Sequence, residues 1–343
     1  MNRLWFITIF VLLWIGLGSA QEQQVHFPAL NGPYLGQHPP GQTPVLFAPG
    51  FVTTGLFTRD VAMTPDGKEF YFGVVLGTYS YSTIVGTILG NDGWSEPEVV
   101  PFAADPSYKT GEPFISPDGK KFFFASNRPI TGKEPSESDF DLWVMDHTPH
   151  GWGEPQNLGL PINTTAGEYF PSVTNDGTLY FTREITGGSN DIYRSHWLNG
   201  TYSEPEKLPQ QINCGKAQFN AFISPDESYL IVPIFGRKDS KGSTDYYVVF
   251  RNPNDTWSEP INLGDEINTK GGNEYSPYVS PDGKFFFFMS ARLRPDAFQP
   301  GEKLTYKKLL ELHDLPGSGN PSIFWVDAKV ITELKPKEIK SAW

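Results

Sequence analysis

The chain has 343 residues, a formal net charge of −12 and 15% aromatic residues, with Lys and Arg scattered along it. This balance excludes nucleic acid and an anionic membrane surface as partners, and the aromatic content excludes a low-complexity reading of the 31 prolines and 34 glycines. Cys214 is the only cysteine, so the fold is held by its core without an internal disulfide.

The chain opens with basic Asn2-Arg3, an apolar run from Leu4 to Leu17 and small residues at Gly18-Ser19-Ala20. Residues 1–20 therefore read as a secretory signal peptide, shorter than the roughly 20 apolar residues of a membrane span. Export to the periplasm or the outside follows, with no stable membrane insertion after cleavage. Residues 21–43 form a leader segment, 44–334 the repeat domain and 335–343 a tail. Asn-X-Ser/Thr sequons stand at Asn163, Asn199 and Asn254.

The repeat domain is punctuated by one motif: Thr64-Pro65-Asp66-Gly67, Ser116-Pro117-Asp118-Gly119, Thr174-Asn175-Asp176-Gly177, Ser224-Pro225-Asp226-Glu227 and Ser280-Pro281-Asp282-Gly283. The copies are 52, 58, 50 and 56 residues apart, close to the four-stranded blade of a β-propeller. Proline at the second position and glycine at the fourth suit a type I turn between strands one and two. Glu227 in place of glycine predicts an altered or strained fourth turn. Strand two is an unbroken apolar run, Phe122 to Phe124 and Phe285 to Phe288. Both of its faces are expected to be buried between neighbouring blades.

Strand three follows at Asp141 to Met145, Asp191 to Ser195, Asp245 to Phe250 and Ser322 to Asp327. A second signature opens strand four: Trp94-Ser95-Glu96-Pro97, Trp152-Gly153-Glu154-Pro155, Tyr202-Ser203-Glu204-Pro205 and Trp257-Ser258-Glu259-Pro260. Proline is tolerated there because the outermost strand has a free edge. The fifth repeat lacks this signature, and Thr43 to Phe47 resembles the missing strand. The fold class is therefore all-β, a propeller of five four-stranded blades closed by an N-terminal outer strand, with six blades as the alternative count.

Runs such as Ser116-Pro117-Asp118-Gly119-Lys120-Lys121-Phe122-Phe123-Phe124-Ala125-Ser126-Asn127-Arg128, followed by Asp141-Leu142-Trp143-Val144, resemble the WD40-like PD40 repeats of exported bacterial propellers similar to TolB. The resemblance covers roughly residues 44 to 327. It implies a propeller fold used as a binding or scaffolding platform.

Candidate site residues come from strand one. Glu168 and Glu274 lie six residues before their turns, with Gln218 in the fourth copy, and Asp60 and Glu112 lie four before. An offset of two keeps one side of a strand, which places all of them near the mouth of the central channel. Tyr169 and Tyr275 stand beside them, together with Phe114, Phe170, Phe219 and Tyr278. Carboxylates among aromatic rings suit a sugar, a peptide or a cation. The competing reading makes the recurring Glu an acceptor for backbone donors of the next blade. Arg128, Arg183 and Arg237 end strand two where Asp141, Asp191 and Asp245 open strand three, which predicts three intrablade salt bridges. Arg292 lacks such an Asp and is expected to be the arginine most free to meet a ligand.

No Gly-X-Ser-X-Gly elbow, His-Glu-X-X-His or phosphate-cradling glycine loop occurs. His147 and His150 read as a solvated turn, and Cys214 as an inert thiol. The sequence thus points to a non-catalytic binding propeller for a protein or glycan. Its ligand residues would be Glu112, Glu168, Glu274, Tyr169, Tyr275 and Arg292, with no catalytic residue, metal or cofactor. The alternative is a glycan-active hydrolase or lyase using carboxylates around the channel. Insertions at Pro129 to Ser138 and Leu293 to Asn320 enlarge the loop-rich face.

Overall fold

Each turn motif is a small closed hydrogen-bonded unit. In the computed structural model, which describes residues 26–130, 139–185, 188–270 and 272–337, the hydroxyl donates to the Asp two residues on, at 2.7 Å for Thr64 to Asp66, 2.6 Å for Ser116 to Asp118 and 2.8 Å for Ser280 to Asp282. The same carboxylate oxygen accepts the backbone N–H of Lys68, Lys120 or Lys284. The hydroxyl oxygen accepts the N–H of Glu69, Lys121 or Phe285, where strand two begins. Gly67, Gly119 and Gly283 have φ of 68°, 71° and 71°, a region that glycine enters without strain. Glu227 is held at φ 56°. Its carboxylate accepts the Tyr180 hydroxyl at 2.8 Å and pairs with Arg251, which offsets the backbone cost of this departure from glycine.

Five antiparallel blade sheets follow in chain order, with a two-stranded ribbon, Trp197–Leu198 and Thr201–Tyr202, after strand three of the third. Blade 1 is Phe57–Met63, Glu69–Leu76 and Tyr81–Gly90, with outer pieces Gly93–Trp94 and Glu98–Val99. Blade 2 is Thr110–Ile115, Lys121–Ser126 and Asp141–Thr148, with Gly151–Trp152 and Gln156–Asn157. Blade 3 is Glu168–Val173, Leu179–Ile185, Ser189–Ser195 and Glu206–Lys207. Blade 4 is Ala217–Gln218 with Phe222–Ile223, then Tyr229–Phe235, Thr244–Phe250 and Ile261–Asn262. Blade 5 is Glu274–Val279, Phe285–Ser290 and Ser322–Asp327, and its fourth strand is Val45–Leu46 from the other end of the domain. The chain is a five-bladed β-propeller.

Closure has the expected register, with Val45 opposite Trp325 and Leu46 opposite Phe324, and the Phe47 N–H donates to the Ile323 carbonyl at 3.0 Å. Residues 26–42 extend the clasp across blades 5 and 1. The Trp94 indole donates to the Gly32 carbonyl at 2.8 Å, the Tyr34 hydroxyl to Asp282 at 2.7 Å, and the Asp327 N–H to the Gly41 carbonyl at 3.0 Å. Leu35 and Phe47 are completely buried. The strand-two phenylalanines are buried on both faces, as their pattern predicts. Phe287 meets Phe47 at 5.0 Å on one side, and Phe286 meets Tyr246 of blade 4 at 5.7 Å on the other. The signal-peptide segment lies outside the described residues. Among those residues, no helix is long and apolar enough to cross a membrane.

The expected Arg–Asp pairs within blades do not form. Arg128, Arg183 and Arg292 instead reach back to the loop arriving from the preceding blade. Each has its Nη2 on a carbonyl there: Phe102 at 2.6 Å, Ile162 at 2.8 Å and Ile267 at 2.5 Å. Arg237 pairs with Asp239 and donates to the Cys214 sulfur at 3.1 Å. The aspartates bind outer-strand amides, with Asn157 donating to Asp141 at 2.8 Å and Asn262 to Asp245 at 2.9 Å, while Asp191 takes Lys207 and Gln218. Only Arg183 stands opposite its Asp, Asp191; Asp141 is opposite Ser126 and Asp245 opposite Ile234, and an Arg is long enough to reach the loop from the preceding blade instead. A third recurring device escaped the sequence reading. Asn163, Asn213 and Asn268 each bond both the N–H and the carbonyl of a strand-three residue, Leu142, Ile192 and Tyr246. Asn163 is therefore buried and engaged, despite its sequon.

Candidate functional site

Every innermost strand is broken at one position, four residues before its turn. Asp60, Glu112, Phe170, Asn220 and Ser276 have φ of 50°, 58°, 52°, 53° and 66°, and the strand register shifts across these positions in blades 1, 2, 3 and 5. A β-bulge of this kind adds a residue and re-aims its neighbours. Left-handed φ in non-glycine residues costs energy and concentrates at functional sites. The consequence is a change of parity. The residues five before each turn, Arg59, Gly111, Tyr169, Phe219 and Tyr275, all line one cavity of about 420 Å³ at the channel mouth, and Asp60, Glu112 and Asn220 join them from the bulge position. The volume lies within the range of small-molecule pockets.

Arg59 forms the floor and is 6% exposed. Its Nε donates to Asp60 Oδ1 at 2.9 Å, Nη2 to Glu112 Oε1 at 2.7 Å and Nη1 to the Tyr79 hydroxyl at 3.0 Å. The guanidinium also lies 5.0 Å from the Tyr275 ring centre and 5.7 Å from that of Tyr79, and the two tyrosine hydroxyls hydrogen-bond to each other. Burial disfavours the Arg59 charge, but Asp60, Tyr79, Glu112 and Tyr275 together hold its pKa well above the ordinary value. Glu112 Oε2 accepts the Phe170 N–H at 2.7 Å, so both of its oxygens take nitrogen donors. Asn220 Nδ2 lies 3.4 Å from Glu112 Oε1 and from Ser276 Oγ, joining blade 4 to blades 2 and 5.

Burial is the largest influence on Glu112 and pushes it from 4.5 up to about 7; Arg59 opposes this, Asp60 adds to it, and the Phe170 N–H opposes it. A carboxyl raised on folding supplies stability that is fully present below its unfolded pKa and lost as pH rises through the folded value. Glu112→Gln cannot ionise, so its stability relative to the natural chain should improve between pH 4.5 and about 7, by up to about 3 kcal/mol. Urea unfolding midpoints across that window check this, and a difference that stays flat overturns it.

Of the residues singled out in the sequence, the structure brings Asp60, Glu112, Tyr169, Phe219 and Tyr275 together in the cavity. Glu168, Glu274 and Arg292 lie elsewhere. Glu168 is fully buried and accepts Thr164 N–H at 2.9 Å, the Thr164 hydroxyl at 2.6 Å and Arg183 Nε at 2.8 Å. Glu274, also fully buried, accepts the Thr269 hydroxyl at 2.5 Å and the Ser290 hydroxyl at 3.1 Å. Arg292 is not free: besides Ile267 it donates to the Glu266 carbonyl at 2.8 Å and lies 5.0 Å from the Phe324 ring centre. The assumed parity fails at the bulges, so position six before the turn packs inside the blade while positions five and four face the channel. Arg59, Asn220 and Tyr79 were missed. Arg59 and Asn220 stand at those two repeat positions, where the residue type differs from blade to blade, and that variability was the available signal. Among the described residues no group of three His, Cys, Asp or Glu is placed to hold a metal ion.

The sequence matches no protein-family profile and no curated protein. Solved structures similar to the chain include a protein of Agrobacterium tumefaciens designated a TolB, at 16% identity over 68% of this chain and 70% of that one, with a TM-score of 0.45. TolB from Acinetobacter baumannii is 16% identical over 79% of this chain, which spans 57% of that one, with a TM-score of 0.42. An exo-1,5-α-L-arabinanase from a bovine ruminal metagenomic library is 15% identical over 70% of this chain and 88% of that one, with a TM-score of 0.43. TolB propellers are thus among its structural neighbours. At such scores the likeness decides no function.

Proposed function

We propose that the protein is an exported binding or scaffolding propeller, without catalysis of its own, that takes part of a protein or glycan ligand into the channel mouth. The observation that carries this reading is the state of the two carboxylates. Glu112 accepts an N–H on each oxygen and Asp60 accepts Arg59 on one. They are fixed acceptors, held by the fold before any ligand arrives. Glycoside hydrolysis needs one carboxyl that gives a proton to the leaving oxygen and a second that is nucleophile or base. Asp60 and Glu112 are both tied to the same Arg59 guanidinium and so lack the separate environments that a proton donor and a nucleophile need, which favours binding over hydrolysis.

Glycan and peptide arrays probed with the chain lacking residues 1–20 test the reading. Capture of a glycan or peptide is expected, with no release of reducing ends. Tyr169→Leu, which removes a wall of the cavity, should weaken capture about tenfold or more, as for loss of a buried aromatic contact. Asp118→Asn, on the opposite face, should leave it unchanged. Capture insensitive to Tyr169→Leu, or turnover of a captured glycan, overturns the proposal.

A further inference from the structure

Resting on that reading, we infer that the group taken into the channel mouth is a primary ammonium, seated on Asp60 Oδ2 among the aromatic walls. Asp60 is 4% exposed and lines the cavity. Its Oδ1 is occupied by Arg59 at 2.9 Å, whereas no residue among those described donates a hydrogen bond to Oδ2. Because Asp60 lines the cavity, a donor carried by a ligand can reach this oxygen, and a hydrogen bond to an ionised acceptor is stronger than one between neutral groups.

The space for this oxygen is kept open by the chain itself. A Cβ on Gly73 would stand 2.8 Å from Asp60 Oδ2 and 3.3 Å from the Arg59 carbonyl. Gly73 also lines the cavity, and its φ is not in the left-handed region, so backbone conformation does not require glycine there. The close approach of the carboxylate does.

Charge selects the class of donor. Three carboxylates, Asp60, Glu112 and Glu184, line the cavity against one cation, Arg59. Three of the five Arg59 N–H groups, one each on Nε, Nη1 and Nη2, already donate within the protein, and two tyrosine rings flank the guanidinium, so its charge is largely balanced by its own partners. Among the described residues no three of His, Cys, Asp and Glu are grouped to hold a metal ion, which favours an organic cation over a bare divalent one. An ammonium asks for a charged acceptor and is held further by ring faces. Tyr169, Phe140 and Phe219 supply such rings around the opening. Its source is either a lysine side chain or an amino sugar.

Matched probes separate charge from shape and one source from the other. N-acetyl-lysine amide is compared with N-acetyl-norleucine amide, and glucosamine with glucose, by titration calorimetry on the chain lacking residues 1–20. The ammonium member of at least one pair should bind about tenfold or more tighter than its neutral partner, the value of a hydrogen bond to a charged group. That advantage should vanish in Asp60→Asn and in Gly73→Ala, while Asp118→Asn keeps it. The second variant serves if the first does not fold. Equal binding within both pairs overturns the ammonium assignment and leaves the binding propeller standing. An advantage that survives Asp60→Asn or Gly73→Ala overturns its placement. Failure of every probe overturns the assignment, and only if the arrays also capture nothing does the broader reading fall with it.

Discussion

Deleting residues 26–47 should lower the melting temperature by about 10 °C or more. The segment supplies the fourth strand of blade 5 through Val45 and Leu46, ties Gly32 to Trp94 and Tyr34 to Asp282, and buries Leu35 and Phe47 completely. Truncating either buried side chain alone typically costs about 2–5 kcal/mol. Losing both, together with the strand edge, exceeds about 5 kcal/mol, and each kcal/mol is worth about 2 °C in a chain of this size. The ring is held by this one clasp and by no internal disulfide, since Cys214 is the only cysteine. Thermal unfolding followed by near-ultraviolet circular dichroism measures the effect. A truncated chain melting within about 2 °C of the full one would show that the clasp adds nothing.

Arg59→Met should destabilise the fold by about 3–5 kcal/mol, the cost of breaking a buried ion pair and stranding its partners. Two carboxylates would be left, one holding only the Phe170 N–H and long contacts from Asn220, the other with none of its present donors. Adding Asp60→Asn and Glu112→Gln to Arg59→Met removes the stranded charges. The triple variant should recover most of the loss, because replacing a whole buried ionic group is often nearly neutral. Urea unfolding of the three chains decides it. A loss below about 1 kcal/mol in the single variant, or a triple variant weaker than the single, would mean that Arg59 does not hold the two carboxylates in place.

The two expected results rest on features that were unequally legible. The clasp was readable because Thr43 to Phe47 resembles the opening of strand four, and a ring short of one outer strand can only borrow it from the other end. The Arg59 floor was not readable. Nothing local distinguishes Arg59 from the arginines that end strand two, and those were themselves misassigned to Asp141, Asp191 and Asp245. An arginine reaches far enough to choose among several elements. Only the placement of the preceding loop shows that Arg128 finds Phe102 and Arg183 finds Ile162. The insertion before strand three of blade 5 was foreseen as an enlarged loop, yet it holds the helix Tyr306–His313, capped by the Thr305 hydroxyl accepting the Lys308 N–H at 3.1 Å.

By itself, the sequence determined the repeat, the turn chemistry, the burial of strand two on both faces and the strand that closes the ring, and it favoured five blades over six. Each of these depends on interactions within about fifty residues or on a periodicity that survives translation along the chain. The tertiary structure alone decided which side of the innermost strands faces the channel. One left-handed residue per blade reverses the alternation, so Glu168 and Glu274 turn inward to Thr164 and Thr269 while Tyr169 and Tyr275 turn to the cavity. It alone brought Arg59, Glu112, Asn220 and Tyr275 from four blades into contact. Closing a ring makes neighbours of residues that sequence separation and strand parity keep apart.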